Sequence, residues 1–567
     1  MTILQWFIFF IAVQLIHFGG SWKLYQKAGR KSWEALIPVH NAVVLMEIIR
    51  RPKWWVILLF IPIINLMIFP VVWIETLRSF GKNSSLDTAL GILTFGLYTY
   101  TINYSDNVQY EADRSLVTRT LFGEWISALI FAITAATFVH NYFIQPYIIP
   151  TGSLEKTLLI GDFLFVSKFH YGARTPMTAV AFPMVHDTLP IVKTKSYLDF
   201  PQLPYFRLPG FQKVARNEIV VFSWPADTVR QFFVKEKGVR KPIDKKSNYV
   251  KRCVGIPGDT LYIVDGFVHI NGERSILPER AKTQYIHTAY RAKGISGRKL
   301  QSENFKDFTR KYRIDNISNE SYQALLPYIY GIYSNERDNF VVISPAAGIP
   351  VEVVRKLRLK MSEILESQKE LLLTVSEADR LNKVMKLDSI VRQVNRSKTP
   401  NTSFFPNHLP YDWNEDNFGP ILLPKAGTSV GLTLQNLPLY KKIIREYEKN
   451  LLVVKDGAIF INGKKTTQYS FQQDYYWMMG DNRHRSEDSR YWGFVPEDHI
   501  VGKPVLIWFS IEGINEGIRN WSIRWDRVMT TVKGEGKAFA FGPFVFGIIL
   551  IWQIVAFILR RKKAQSA

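Results

Sequence analysis

The chain has 567 residues, of which 47% are hydrophobic and 14% aromatic, and carries a formal charge of +23. That length leaves room for more than one domain, and the apolar content excludes global disorder. A single cysteine, Cys253, excludes an intramolecular disulfide. No Cys/His ligand spacing suggests zinc, and Cys253 reads as a small buried residue rather than a nucleophile. The basic excess suits nucleic acid or anionic lipid. No helix-turn-helix, zinc or RNA-binding pattern accompanies it, so the bilayer is the expected partner and nucleic acid is not.

Apolar segments occur at Ile3–Phe18, Trp54–Ile74, Leu86–Tyr104, Trp125–Phe143 and Ala538–Leu559. Each approaches the ~20 residues needed to cross a bilayer. The first is followed by Lys23, Lys27, Arg30 and Lys31 and lacks a basic start and a small-residue cleavage site, so it reads as a retained helix. Leu86–Tyr104 is the weakest, because it carries Asp87, Thr and Gly residues. Positive charge orients the set. Lys23 to Lys53 is basic, and the C-terminus reads Arg560-Arg561-Lys562-Lys563, which places both inside. Five spans, with the N-terminus and residues 145–537 outside, satisfy both ends. The expected organisation is a membrane module at 1–120 with about three spans, an anchor at 121–145 and a closing helix at 538–559. Trp33–Ile49 fits an interfacial helix or an ordinary loop equally.

The region between the last two spans reads as mostly β. Glu218–Trp224, Thr260–Val264 and Val505–Phe509 are short runs rich in β-branched and aromatic residues. Leu261–Gly272 and Leu452–Gly463 echo each other, each with Asp-Gly between alternating apolar runs, the signal of a type I′ hairpin. They frame an α+β insert at 273–451, dividing the β domain into 146–272 and 452–535. Within the insert, Val351–Glu370 and Glu377–Val394 have helical spacing.

Three clusters carry chemistry. The first is Pro150-Thr151-Gly152-Ser153, shortly beyond the fourth apolar run. A nucleophilic serine needs a base, and none of the ten histidines has a triad context; His170, His269 and His484 read as surface or turn residues. A lysine can serve if burial lowers its pKa from ~10.4. Lys251 has the setting, walled by Tyr249, Val250, Cys253 and Val254, while its neighbour Arg252 stays charged and suits an ion pair. The third cluster is Met478 to Pro496, including Gly480-Asp481-Asn482-Arg483. There Ser486 can orient a neutral lysine, and Asp488 with Arg490 can brace the loop. It lacks the ligand spacing of a calcium loop.

In this order, behind a transmembrane helix, the clusters resemble bacterial type I signal peptidase, a Ser/Lys protease. The matching pieces are Ile149–Leu158 with Gly161-Asp162, Arg216–Phe222 with Pro225, Tyr249–Asp259 and Met479–Phe494. The insert lies outside them, and Lys27–Ile74 resembles a small membrane module fused to some of these enzymes. The resemblance implies an all-β core of coiled antiparallel sheets that hydrolyses signal peptides of exported preproteins, without metal or cofactor. It makes Ser153 the nucleophile, Lys251 the general base and Ser486 its orienter. The Ser153 amide and Thr151 hydroxyl form the oxyanion hole, and Asp488 and Arg490 brace the site. Ile148, Ile149, Pro150, Tyr249 and Val250 line the substrate site. Implied partners are preprotein signal peptides, the bilayer and the secretion machinery, and the implied location is the bacterial cytoplasmic membrane with the site on its periplasmic side. Leu154 stands where the family usually has Met, a change that nearly conserves volume. Thr151 keeps a hydroxyl where Ser or Gly is usual. Two other readings are a self-cleaving repressor-like protease, which the membrane segments oppose, and a non-catalytic assembly factor, which the intact Ser153, Lys251 and Ser486 oppose.

Overall fold

The computed structural model describes residues 2–566 apart from 118–119, 228–239, 316, 337–338 and 537. Its N-terminal part is a helical layer. α1 (Ile3–Lys27) opens on a capping box in which Thr2 and Gln5 satisfy each other's backbone N–H. Most of α1 is exposed and apolar; Leu24 and Tyr25, near its C-terminus, are buried. His40–Ile48 is helical and packs Val44, Leu45, Met46 and Ile48 into the core of this layer.

The expected span at Trp54–Ile74 is broken into Trp55–Phe60 and α2 (Ile64–Ser79). Pro62 lies at the break, and Ile63 has a φ of 70°. The expected span at Leu86–Tyr104 is broken too, into Ser85–Leu93 and Thr99–Asn103 around Gly96. α3 (Leu121–Tyr142) is continuous. Among the described residues, 2 helices, α1 and α3, are long and apolar enough to cross a bilayer, so the expectation of about five spans, three of them before residue 120, is corrected. Hydropathy averaged over a window does not register a proline or a left-handed residue that ends a helix.

β1 (Ile144–Ile148) leaves α3 almost directly. Along the chain follow β2 (Asp162–Ser167), β3 (Ile219–Ser223), β4 (Asn248–Gly255), β5 (Thr260–Val264), β6 (Phe267–Ile270), β7 (Tyr285–Ile295), β8 (Phe418–Leu422), β9 (Leu452–Lys455), β10 (Ala458–Ile461), β11 (Tyr475–Met479) and β12 (Ile500–Glu512). The main sheet runs β1-β2-β12-β3-β4-β11 and its strands pair antiparallel. Register shifts along β12, against both β2 and β3, curl the sheet. Both faces are covered. In β3, Ile219 and Val221 join Leu164, Val166 and Ile507, while Val220 and Phe222 join Cys253, Met478 and Ile500.

The two echoing stretches are the same three-stranded meander. Asp265-Gly266 and Asp456-Gly457 all have positive φ, as a type I′ turn requires. Asn271-Gly272 and Asn462-Gly463 make the second turn of each. In the insert, β7 is the middle strand between Glu366–Leu373 and Ser389–Arg392. α4 (Val375–Met385) packs Ala378, Leu381 and Met385 on that sheet. The helical expectations here hold only in part. Val351–Lys356 is helical, then Arg358 turns left-handed and the chain enters strands; after α4 the chain again becomes a strand. The Leu371–Leu373 run is buried by pairing with β7 rather than on a helix face. β8 leaves the insert and pairs with β5. α5 (Gly542–Ser566) closes the chain; its side chains from 559 on, the basic tail included, lie outside the described residues.

Gly161, before β2, shows how tightly the sheet closes. Its φ is 87°, and a Cβ there would stand 1.9 Å from the Ile511 carbonyl oxygen. Gly427 also has positive φ, 77°, but nothing lies within 4 Å of its Cβ position. Gly161→Ala is expected to cost about 3 kcal/mol and Gly427→Ala about 1 kcal/mol, read from denaturant midpoints of the detergent-solubilised chain.

Candidate active site

Ser153 sits in a single 3-10 turn, Gly152–Leu154, just beyond β1. Ile149 and Leu154, 4% and 2% exposed, anchor the turn in the core on either side of it. Lys251 lies in mid β4, opposite Val220 of β3. It is 4% exposed, and its Nζ is 2.6 Å from Ser153 Oγ. Tyr249, two positions along the same face, presents its ring 5.4 Å from that Nζ and stacks on Trp224. Burial lowers the Lys251 pKa to about 8, against the opposing pull of Asp488, Glu487 and Asp481.

Two buried arginine forks occupy two of these acids, Asp488 and Asp481. Arg490 grips Asp488 through Nε (2.9 Å) and Nη2 (2.8 Å), and Asp488 also accepts the Gly480 N–H. Arg252 grips Asp481 through Nε (2.7 Å) and Nη2 (2.6 Å), and Thr157 donates to the same carboxylate. Each guanidinium holds its partner carboxyl below the usual aspartate range despite burial. The Gly480–Asn482 backbone then meets the serine turn. Asn482 donates its N–H to the Ser153 carbonyl (3.1 Å) and Nδ2 to the Gly152 carbonyl (3.0 Å). A Cβ on Gly480 would touch both Ser486 and the Ser153 carbonyl, so close approach requires glycine.

The other candidates fall around this centre. Ser486 is buried beside Gly480, but its Oγ has no hydrogen-bond partner among the described residues, so it does not orient Lys251 through a direct bond. Thr151 and Pro150 are exposed, and the Thr151 hydroxyl does not cap its own turn. Ile148 is exposed, Ile149 is buried, and Tyr249 and Val250 are half-buried.

Several partners were not assigned from sequence. Besides Asn482 and the Arg252–Asp481 fork, Gln284 of the insert donates Nε2 to the Glu155 carbonyl (2.5 Å). Its backbone bridges Asp481 and Arg483. Lys156 reaches Glu377 on α4 (2.7 Å). His484, expected at the surface, is buried with a side chain 3% exposed. Its Nδ1 accepts the Ile286 N–H, so a neutral ring carries its proton on Nε2, 3.0 Å from Asp416 Oδ1. Glu415, Asp416 and His484 bring ligand-type atoms within 4.8 Å of one another, but that tautomer offers a metal no ring lone pair. The group is a hydrogen-bonded tie between insert and loop. The only short signal for it was His484 inside the Asp481–Arg490 cluster.

A curled antiparallel sheet with a serine and a buried lysine in contact defines a class of peptidases. Residues 122–325 and 430–509 match the family described as signal peptidase, peptidase S26. The chain belongs to that family, and its activity is peptide-bond hydrolysis. It is similar to a Signal peptidase I of Buchnera aphidicola subsp. Acyrthosiphon pisum, 24% identical over 75% of this chain and 86% of the relative. It is also similar to Signal peptidase I of Haemophilus influenzae, 20% identical over 72% and 76%. For Signal peptidase I of Helicobacter pylori the figures are 21% over 73% and 92%. Residues 33–113 match a family of unknown function.

Removing one side of a buried ion pair strands the other charge. Arg490→Met is expected to cost roughly 3–5 kcal/mol, whereas Arg30→Met, in a half-exposed surface pair, should cost under about 1 kcal/mol. Chemical denaturation followed by tryptophan fluorescence distinguishes the two.

Proposed function

We propose that the chain removes signal peptides from exported preproteins, with Ser153 as nucleophile and Lys251 as general base. The observation that carries the reading is the 2.6 Å contact between a buried lysine and a serine hydroxyl. Neutral Lys251 accepts the hydroxyl proton as Ser153 Oγ bonds to the carbonyl carbon before the mature N-terminus. The ammonium so formed gives that proton to the leaving amine. Water, deprotonated by the same lysine, then hydrolyses the ester. The Ser153 N–H and the Thr151 hydroxyl receive the developing oxyanion. The Arg490–Asp488 and Arg252–Asp481 forks hold the loop, and Ser486 packs beside it. β1 ends the sheet order, so a substrate strand can add along Ile148, Ile149 and Pro150 opposite Tyr249 and Val250. No step requires a metal or cofactor.

The membrane placement is part of this reading. Arg51 and Arg114 both pair with Glu75, at 3.2 and 2.5 Å, and the Glu111 N–H bonds the Ser79 carbonyl. The start of Trp55–Phe60, the end of α2 and the approach to α3 therefore share one level. At the opposite level, Trp6 donates to Gln202 and Ile63 packs on Ala181 and Tyr197. Residues 51–79 thus go in and come back, as do 81–110. α1 and α3 are the crossings, joined by α5, whose described apolar run Gly542–Ile558 is shorter; the N-terminus and β domain lie on the outer side of the bacterial cytoplasmic membrane, and the basic stretch between α1 and α2 lies on its inner side. Preproteins arrive at the outer surface beside α3, where contact with the secretion machinery would occur.

Ser153→Ala and Lys251→Met are each expected to abolish cleavage of a preprotein by the solubilised chain. Full cleavage by either sinks the mechanism. The basic form of Lys251 is the active one, so kcat/KM should rise about tenfold per pH unit below about 8 and level off above it. The depressed pKa means the unfolded chain binds the proton more tightly between pH 8 and 10.5, so this group's cost to stability is full below pH 8 and vanishes as pH rises. Lys251→Met removes on the order of 3 kcal/mol of that cost, and its midpoint at pH 7 should not fall. For the placement, a maleimide that cannot cross membranes should label Lys195→Cys in intact cells, and Lys82→Cys only after permeabilisation, the native Cys253 being buried.

A further inference from the structure

A cavity of about 110 Å³ lies between the outer end of α3, the tip of the α2 hairpin and the β domain. Thr137 and Asn141 of α3 and Lys168, Arg174 and Lys245 of the β domain line it. Two polar groups of α3 in its wall are without partners, and Lys245 reaches only the Val185 carbonyl, at 3.5 Å. Thr137 is 2% exposed, and among the described residues its Oγ1 has no hydrogen-bond partner; neither does Asn141 Nδ2. Thr76 and Thr94 spend their hydroxyls on the carbonyl four residues back, whereas that of Thr137 is left to the cavity.

The charges are unbalanced as well. Arg174 donates to the Asp498 carbonyl and to Ser223 Oγ, both neutral acceptors. Lys168 faces no carboxylate in the wall; burial, then Arg174, lowers its pKa to about 7. The one acid in the wall, Asp244, is occupied by the N–H groups of Met177 and Thr178 and by the Thr178 hydroxyl. An anion with several acceptor oxygens would satisfy the hydroxyl, the amide and the ammonium together.

The surroundings are those of a bilayer surface. Phe182 and Met184 on the rim are 58% and 50% exposed. Farther along the same segment, Ile191 and Phe200 are 93% and 66% exposed. Beside the cavity α3 turns Phe138 and Val139 outward. We propose that the cavity binds the phosphate of an outer-leaflet phospholipid, whose acyl chains run down α3. This rests on the membrane placement above and not on the Ser153–Lys251 assignment. A headgroup there sits between anchor and β domain and fixes the height of the β domain over the membrane.

The full chain, purified in dodecyl maltoside, is titrated with phosphatidylglycerol and with phosphatidylethanolamine, and retained lipid is counted by native mass spectrometry. One tightly held phospholipid is expected on the wild type, held about tenfold more weakly by Lys168→Met and by Thr137→Val. The exposed-lysine variant Lys195→Met should match the wild type. Preprotein cleavage in detergent reports that each variant is folded. Equal retention by the wild type and both folded cavity variants overturns the site. Binding of inorganic phosphate without lipid, or displacement of the lipid by millimolar phosphate, overturns the lipid as occupant. Failure of the wild type to float with vesicles overturns the membrane placement on which the proposal stands, whereas a lost Ser153–Lys251 mechanism leaves lipid retention unchanged.

Discussion

The site depends on keeping one lysine uncharged beside acids. Asp488, Glu487 and Asp481 each favour the ammonium of Lys251, and burial, with the Arg490 charge behind it, opposes them. The two aspartates are held in bidentate guanidinium forks, so each acid carries its own counter-charge at hydrogen-bond distance. The lysine is left with a serine hydroxyl as its near neighbour. A carboxylate paired directly with Lys251 would fix the proton on it and remove the proposed base. The forks therefore act electrostatically as well as mechanically. They brace the loop, and they withdraw negative charge from the proposed base.

The insert belongs to this arrangement. Gln284 holds the Glu155 carbonyl just past Ser153, and its backbone pairs with the loop that carries Asp481 and Asn482. Lys156, with a φ of 67°, is held in that left-handed conformation by Glu377 and by the Leu372 carbonyl. His484 ties Ile286 to Asp416 on the far side of the loop. The family match ends at residue 325 and resumes at 430. Gln284 and Ile286 fall inside it, and Glu377 and Asp416 fall outside. The inner ties of the lobe thus lie within the matched residues, and the outer ones lie between the two matched parts.

What was legible in the sequence was local. Asp265-Gly266 and Asp456-Gly457 specify their turns by themselves, and Ser153, Lys251 and the Gly480–Arg490 loop stood out as short clusters. The partner of Arg252 was not legible, because Asp481 lies 229 positions away and curvature of the sheet brings them together. His484 looked like a surface residue because its neighbours are polar, yet the insert covers it. Ser486 shows the converse: placed beside the site from sequence, it is found there without a direct bond to Lys251. The helical reading of Val351–Glu370 held only to Lys356, because Arg358 turns left-handed and Glu366–Glu370 pair with β7, a contact that no local pattern contains.

The loss of spans leaves the proposed sidedness intact, for a geometric reason. The two broken segments, near Pro62 and Gly96, are the second and third of the five expected, and removing an adjacent pair preserves parity. α2 has 16 residues, about 24 Å at 1.5 Å per residue, short of a hydrocarbon core of about 30 Å. α3, with 22 residues, reaches about 33 Å. A short helix that must return to its own side can be held by an ion pair at its base, and Glu75 with Arg51 and Arg114 is placed there. β1 starts two residues after α3 ends, at Ile144, and runs into the serine turn, so only a short stretch of chain separates Ser153 from that helix.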